Sequence, residues 1–97
     1  MGIRFDKENR DIYGITVGGK IEFTVNYVDG VPVKETLEKD ISEWGDSCAV
    51  RILSDEIYSA DVGSVLDITI NTVFNGHKLV YAKKIPISKK HAMSVAV

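Results

Sequence analysis

Cysteine is all but missing from this chain: Cys48 is the only one, so no intrachain disulfide can form and no thiolate cluster can hold a metal. A free cysteine between Ser47 and Ala49 is expected to be a small buried hydrophobe. Histidine is nearly as scarce. His77 and His91 have no Cys, Asp or Glu at metal-ligand spacing, and no nucleophile, base and orienting partner can be assembled from the string. Gly18-Gly19 lacks the spacing of a phosphate-cradling loop. No catalytic residue, metal or cofactor is therefore expected, and the chain is not expected to be an enzyme. Long apolar runs are also absent: nothing approaches the ~20 residues of a membrane span, and the amino terminus shows no basic stretch followed by an apolar signal region. A cytoplasmic protein with no membrane partner is the expectation.

What the chain does contain is a repeat. Residues 11–28, DIYGITVGGKIEFTVNYV, return forty-five positions later as residues 56–73, EIYSADVGSVLDITINTV. The pairs Ile12/Ile57, Tyr13/Tyr58, Val17/Val62, Gly18/Gly63, Thr24/Thr69, Asn26/Asn71 and Val28/Val73 are identical, and five more positions are conservative. A period of this length means one supersecondary unit used twice, each copy needing the other to bury its apolar face. With 97 residues, 44% apolar and 27% charged, a single globular domain is expected over residues 1–97. Its expected parts are repeat one at 1–40, repeat two at 41–85 and a short tail at 86–97.

Charge is unevenly spread along the chain. All fourteen acids and seven of the twelve Lys/Arg lie at or before Asp67, whereas Lys78, Lys83, Lys84, Lys89 and Lys90 follow it with no acid. Folding either mixes the two ends or leaves a basic face that attracts phosphates or an acidic partner.

Within the unit the clearest signal is period-two alternation. Ile21, Phe23, Val25 and Tyr27 share one side of a strand, with Lys20, Glu22, Thr24 and Asn26 on the other; Leu66, Ile68 and Ile70 repeat the inward set, and Asp67, Thr69 and Asn71 the outward one. Asp29-Gly30 and Asn75-Gly76 predict type I′ hairpin turns, with return strands at 31–36 and 77–85. Pro32 has no N–H to give, so the first return strand belongs at an edge or carries a bulge. Short helices are predicted at 6–13 and 54–59, capped by the side chains of Asp6 and Ser54, with Gly14 closing the first in a left-handed conformation. Residues 40–52 read as a strand pair broken at Gly45-Asp46, and 86–97 as a final strand or a frayed tail.

The segment FDKENRDIYGITVGGKIEF at 5–23 resembles the strand-helix-hairpin segment of the AbrB/MazE/SpoVT swapped-hairpin family, in which a pattern close to IPKEIREKLGIKVGDKVEF is typical. Lys7, Glu8, Arg10, Gly14, Ile15, Val17, Gly18, Lys20, Glu22 and Phe23 match it in place. The string from Trp44 to Ile52, WGDSCAVRI, is similar to the WGNSxAVRIP segment of the MazE branch. The resemblance implies a mainly β protein with short helices: a small swapped-hairpin, double-psi-like β-barrel from two strand-helix-hairpin repeats. It implies a DNA-binding transcription regulator or an antitoxin, the tandem arrangement being similar to that of MraZ relatives. Implied partners are duplex DNA, a toxin or other protein, and a second copy in a homodimer.

By the same resemblance Arg51 and Ser47 lie near DNA, where a guanidinium can bridge phosphates or read a guanine edge. Read structurally instead, Arg51 alternates outward and pairs with Glu43 or Asp46. Arg4 and Arg10 are further DNA-binding candidates, and Lys83 and Lys84 could hold phosphates, although neighbouring strand residues point to opposite faces. Trp44 either stacks on a ligand or packs in the core. Ser42, Glu43 and Asp46 stand where MazE-like proteins commonly carry Lys, Arg and Asn, and Leu53 replaces the proline of the motif. These departures motivate an alternative function: a protein-interaction barrel of the same fold without DNA binding, either toxin-binding or a phage-type inhibitor.

Overall fold

The computed structural model describes residues 2–53, 56–57 and 60–83, together with the backbone of 90–96. Its first elements are β1 (Gly2–Phe5), the helix α1 (Lys7–Tyr13), β2 (Lys20–Val28) and β3 (Val31–Asp40). There follow β4 (Ser42–Trp44), β5 (Ser47–Arg51), β6 (Val65–Asn75), β7 (Lys78–Ala82) and β8 (Lys90–Ala96). The predicted second helix lies largely outside the described residues; Glu56 donates its amide to the Leu53 carbonyl in a turn.

Helix α1 begins and ends where its chemistry dictates. The Asp6 carboxylate accepts the amide hydrogen of Asn9 at 2.8 Å, and Gly14, at φ 67°, returns its own N–H to the Arg10 carbonyl. Tyr13 is the buried residue of the helix, its ring meeting Tyr81 edge-on at 4.7 Å. Burial, and secondarily Tyr81, raises the Tyr13 phenol above its ordinary pKa.

All strand pairing is antiparallel, in the order β3-β2-β6-β8-β1-β5-β4, with β7 also on β6. One sheet holds β2, β3, β6 and β7, the other β1, β4 and β5, and β8 pairs with both β6 and β1. The ends of the path, β3 and β4, do not pair, so the expected barrel is not closed among the described residues. The segment read as a tail or a final strand supplies, at 90–96, the strand that joins the two sheets.

The core lies between the sheets. Ile3, Phe5 and Val50 from one side meet Ile21, Phe23, Val25, Leu66, Ile68 and Ile70 from the other, all nearly solvent-free. Fully burying one such side chain contributes roughly 1.5–3 kcal/mol. The expected inward residue Tyr27 breaks the pattern, being partly exposed while Val28 is buried. Both ladders of β2 slip between Val25 and Tyr27, leaving Asn26 as an extra residue opposite β6, and a bulge of one residue turns the following side chains to the other face. The same slip on β6 isolates Asn71 and, contrary to the outward expectation, buries it.

These two bulges are related. Thr24 faces Thr69, Val25 faces Ile68 and Phe23 faces Ile70; beyond them Tyr27 faces Asp67 and Glu22 faces Thr72. Adding forty-five to one partner and subtracting it from the other leaves Thr24↔Thr69 unchanged and turns Val25↔Ile68 into Phe23↔Ile70, Tyr27↔Asp67 into Glu22↔Thr72 and Val28↔Leu66 into Ile21↔Val73. The side chains follow: Asn26 Nδ2 donates to Thr69 Oγ1 at 2.9 Å, and Asn71 Nδ2 to Thr24 Oγ1 at 3.0 Å. The β1–β5 ladder obeys the same exchange, Ile3↔Val50 becoming Phe5↔Cys48, with Arg4↔Ala49 on the axis. The repeat is thus a pseudo-two-fold in strand pairing.

The turns diverge. Asp29 and Gly30 both take positive φ, 48° and 82°, as the type I′ reading requires. The second hairpin pairs Asn75 with Lys78, so its loop is Gly76-His77, one residue later than expected. There only the first loop position is left-handed, Gly76 at φ 61°, the pattern of a type II′ turn. Pro32 behaves as expected, on the edge strand β3 beside an irregularity in the ladder.

Candidate nucleic-acid interface

The β4–β5–β1 sheet has one face on the core and one directed away from it. Period two puts Ile3, Phe5, Cys48 and Val50 on the core side, and Gly2, Arg4, Ala49 and Arg51 on the other. The register sets Gly2 opposite Arg51 and Arg4 opposite Ala49. The two arginines are therefore diagonal neighbours on adjacent strands, close enough for long side chains to act on one object. Both are exposed, and neither forms an ion pair among the described residues, where the pairs are Lys20–Glu38 and Lys39–Glu56. The expected pairing of Arg51 with Glu43 or Asp46 is not formed.

Trp44 lies beside them, half-buried. A β-carbon on Gly2 would stand 3.0 Å from Cζ3 of the indole and 2.9 Å from the Val50 carbonyl oxygen, so only glycine lets the ring settle on β1. The two alternatives for Trp44 thus merge: it packs on backbone while walling an open groove of about 570 Å³. Arg51, Leu53, Asp61 and Val62 line the same groove.

A second groove, of about 430 Å³, flanks the opposite side, lined by Arg10, Thr16, Val17, Asp46 and Ser47 among others. The two correspond under the repeat: Ala60, Asp61 and Val62 of the first match Ile15, Thr16 and Val17 of the second, and Gly2 matches Ser47. Each includes a turn closed from its fourth residue to its first, Gly19 N–H to Thr16 O at 3.1 Å and Ser64 N–H to Asp61 O at 2.9 Å. Each turn exposes its valine, Val17 or Val62.

Ser47 is 7% exposed and its hydroxyl donates to the Phe5 carbonyl at 2.9 Å, so this candidate holds the fold together and is not offered to a ligand. Arg10 is partly buried, with Nε shielded and unpartnered among the described residues. Burial raises the pKa of the neighbouring Cys48 thiol, and the Arg10 charge partly offsets that rise. Lys83 is exposed at the end of β7, a strand of the other sheet, and the structure does not bring it to the arginines. Lys84 lies outside the described residues.

Nothing local in the sequence marks Gly2, Asp61 and Val62 as parts of the site. The repeat itself was the available signal, since a groove built by one copy implies a matching groove in the other. Among the described residues no group of three or more His, Cys, Asp or Glu could hold a metal, and no helix is long and apolar enough to cross a membrane.

No family model, curated protein or solved structure matches this chain.

Proposed function

We propose that the chain is a non-catalytic DNA-binding regulator or antitoxin of the AbrB/MazE type, in which two swapped-hairpin units within one chain do the work of two subunits. The observation that carries this reading is the β1–β5 ladder: pseudo-two-fold-related strands present Arg4 and Arg51 on one outward face, with no ion pair to either among the described residues. An unpaired guanidinium retains its donors for phosphate oxygens or a guanine edge. The exchange symmetry of the β2–β6 ladder supports the swapped-hairpin assignment.

Titration of the chain with duplex DNA at two salt concentrations tests the proposal. Binding should weaken steeply with salt, because each neutralised phosphate releases condensed counterions. Arg51→Ala should cost about 1–3 kcal/mol if it reads a base, and Lys83→Ala, remote from the face, should change little.

A second reading is a protein-interaction domain of the same fold, binding a toxin or acting as a phage-type inhibitor. It draws support from Glu43, which lines both grooves, from Asp46 in the second, and from exposed Leu53 and Val62 in the first. No detectable binding to mixed duplex at low salt would make it the better account.

A further inference from the structure

The pseudo-two-fold relates backbones whose outward side chains are unlike. On the axis of the β1–β5 ladder, Arg4 of copy one meets Ala49 of copy two. One step outward, copy two carries Arg51 where copy one has Asp6, whose carboxylate is committed to capping α1. The grooves differ in the same way: Asp61 lines the first where Thr16 lines the second, and Asp46 stands only in the second. A palindromic duplex presents two chemically identical half-sites, so one unlike half of this face must meet bases it does not fit. Because both halves belong to one chain, no second subunit is needed to complete the face.

Resting on the DNA reading above, we infer that the chain recognises a non-palindromic duplex site, one chain per site and in one orientation. Arg4 lies at the centre of that contact, next to the axis, and Arg51 on the side of the Trp44 groove. The inference concerns the symmetry of the site and leaves its sequence open.

Selection of the full chain against a random duplex pool tests it, followed by sedimentation of the chain on the enriched site. The expected result is a motif without internal two-fold symmetry, carrying one chain. Two palindromes, each made by doubling one half of that motif, should each bind at least about tenfold more weakly, the loss of one base contact. Arg4→Ala should flatten base preference at the central step; its thermal melt, taken alongside, should be unchanged because Arg4 is exposed. An enriched palindrome, two chains per site, or equal affinity for a doubled half would overturn the inference while leaving DNA binding intact. No enrichment and no retention at low salt would remove the DNA reading, and the inference with it.

Discussion

Asn26 and Asn71 hold the same repeat position, and each is the bulge residue of its strand, but they do not carry the same burden. Asn26 Nδ2 is shared between Asp67 Oδ1 at 3.0 Å and Thr69 Oγ1 at 2.9 Å, while Asn71 is 5% exposed and its Oδ1 is buried without a partner among the described residues. A carboxylate in place of that amide would lose the donor to Thr24 and bury a charge whose Oδ1 has no donor among the described residues. Asn71→Asp should therefore cost at least about 2 kcal/mol, and Asn26→Ala about 1 kcal/mol, as read by denaturant unfolding. Equal midpoints for the two variants would show that burial at Asn71 does not govern its energetics. Glu56 offers a residue-scale test by pH. Hydrogen bonds from Lys39 Nζ and the Leu53 amide hold its carboxyl below the usual carboxylate range. A lowered folded-state pKa stabilises the protein above the unfolded value, and that stability is lost as pH falls through the folded one. The part-buried pair should contribute about 1–2 kcal/mol at neutral pH, absent in Glu56→Gln. The difference between wild type and Glu56→Gln should shrink on acidification into the carboxylate range and below.

At the scale of elements, the segment entering β2 is held more tightly than any propensity scale suggests. Gly18 N–H reaches the Ile41 carbonyl at 3.0 Å, and Ile41 N–H returns to Gly19 O at 2.8 Å, fastening the start of β2 to the end of β3. A β-carbon on Gly19 would stand 2.5 Å from the Phe74 carbonyl oxygen, a main-chain atom that cannot swing aside. Gly18, at φ 89°, has open space around it, so substitution there strains only its own backbone. Gly19→Ala should lower stability by more than about 2 kcal/mol, and Gly18→Ala by about 1–2 kcal/mol, in paired melts. A reversed ranking would place the close approach elsewhere. The helix is different in kind. Its Asp6 cap and its left-handed Gly14 follow from chemistry within about two turns, which is why its span is legible in the sequence, whereas Tyr13 is buried against the distant Tyr81.

At the scale of the whole molecule, β8 pairs with β6 from Thr69↔Lys90 to Val65↔Ser94 and with β1 at Ile3↔Val95 and Gly2↔Ala96. It joins the two sheets through main-chain pairing. Ending the chain after Lys83 would remove those bonds and open edges on β1 and β6 together. The truncated chain should show no cooperative thermal transition, measured by circular dichroism, although the repeated segments 11–28 and 56–73 both remain. A sharp melt at the native temperature would mean that residues 84–97 are dispensable to the core. The proposed function belongs to this scale as well, because Arg4 and Arg51, forty-seven positions apart, become neighbours only when β1 pairs with β5.

The sequence by itself determined what depends on neighbours along the chain: the repeat, the capped helix, the type I′ turn at Asp29-Gly30 and the inward faces of Phe23, Val25, Ile68 and Ile70. Dihedral preference and side-chain alternation act over a few residues, which is enough to set these features without distant partners. The tertiary structure alone decided what depends on partners far away. Bulges at Asn26 and Asn71 arise from the pairing of β2 with β6, so they reversed the side expected for Tyr27 and buried Asn71. Ser47 is not free for a ligand because the Phe5 carbonyl on another strand lies within reach of its hydroxyl. The residues at 90–96, whose period carried no decisive signal, became a central strand because β6 and β1 each had main-chain groups to satisfy.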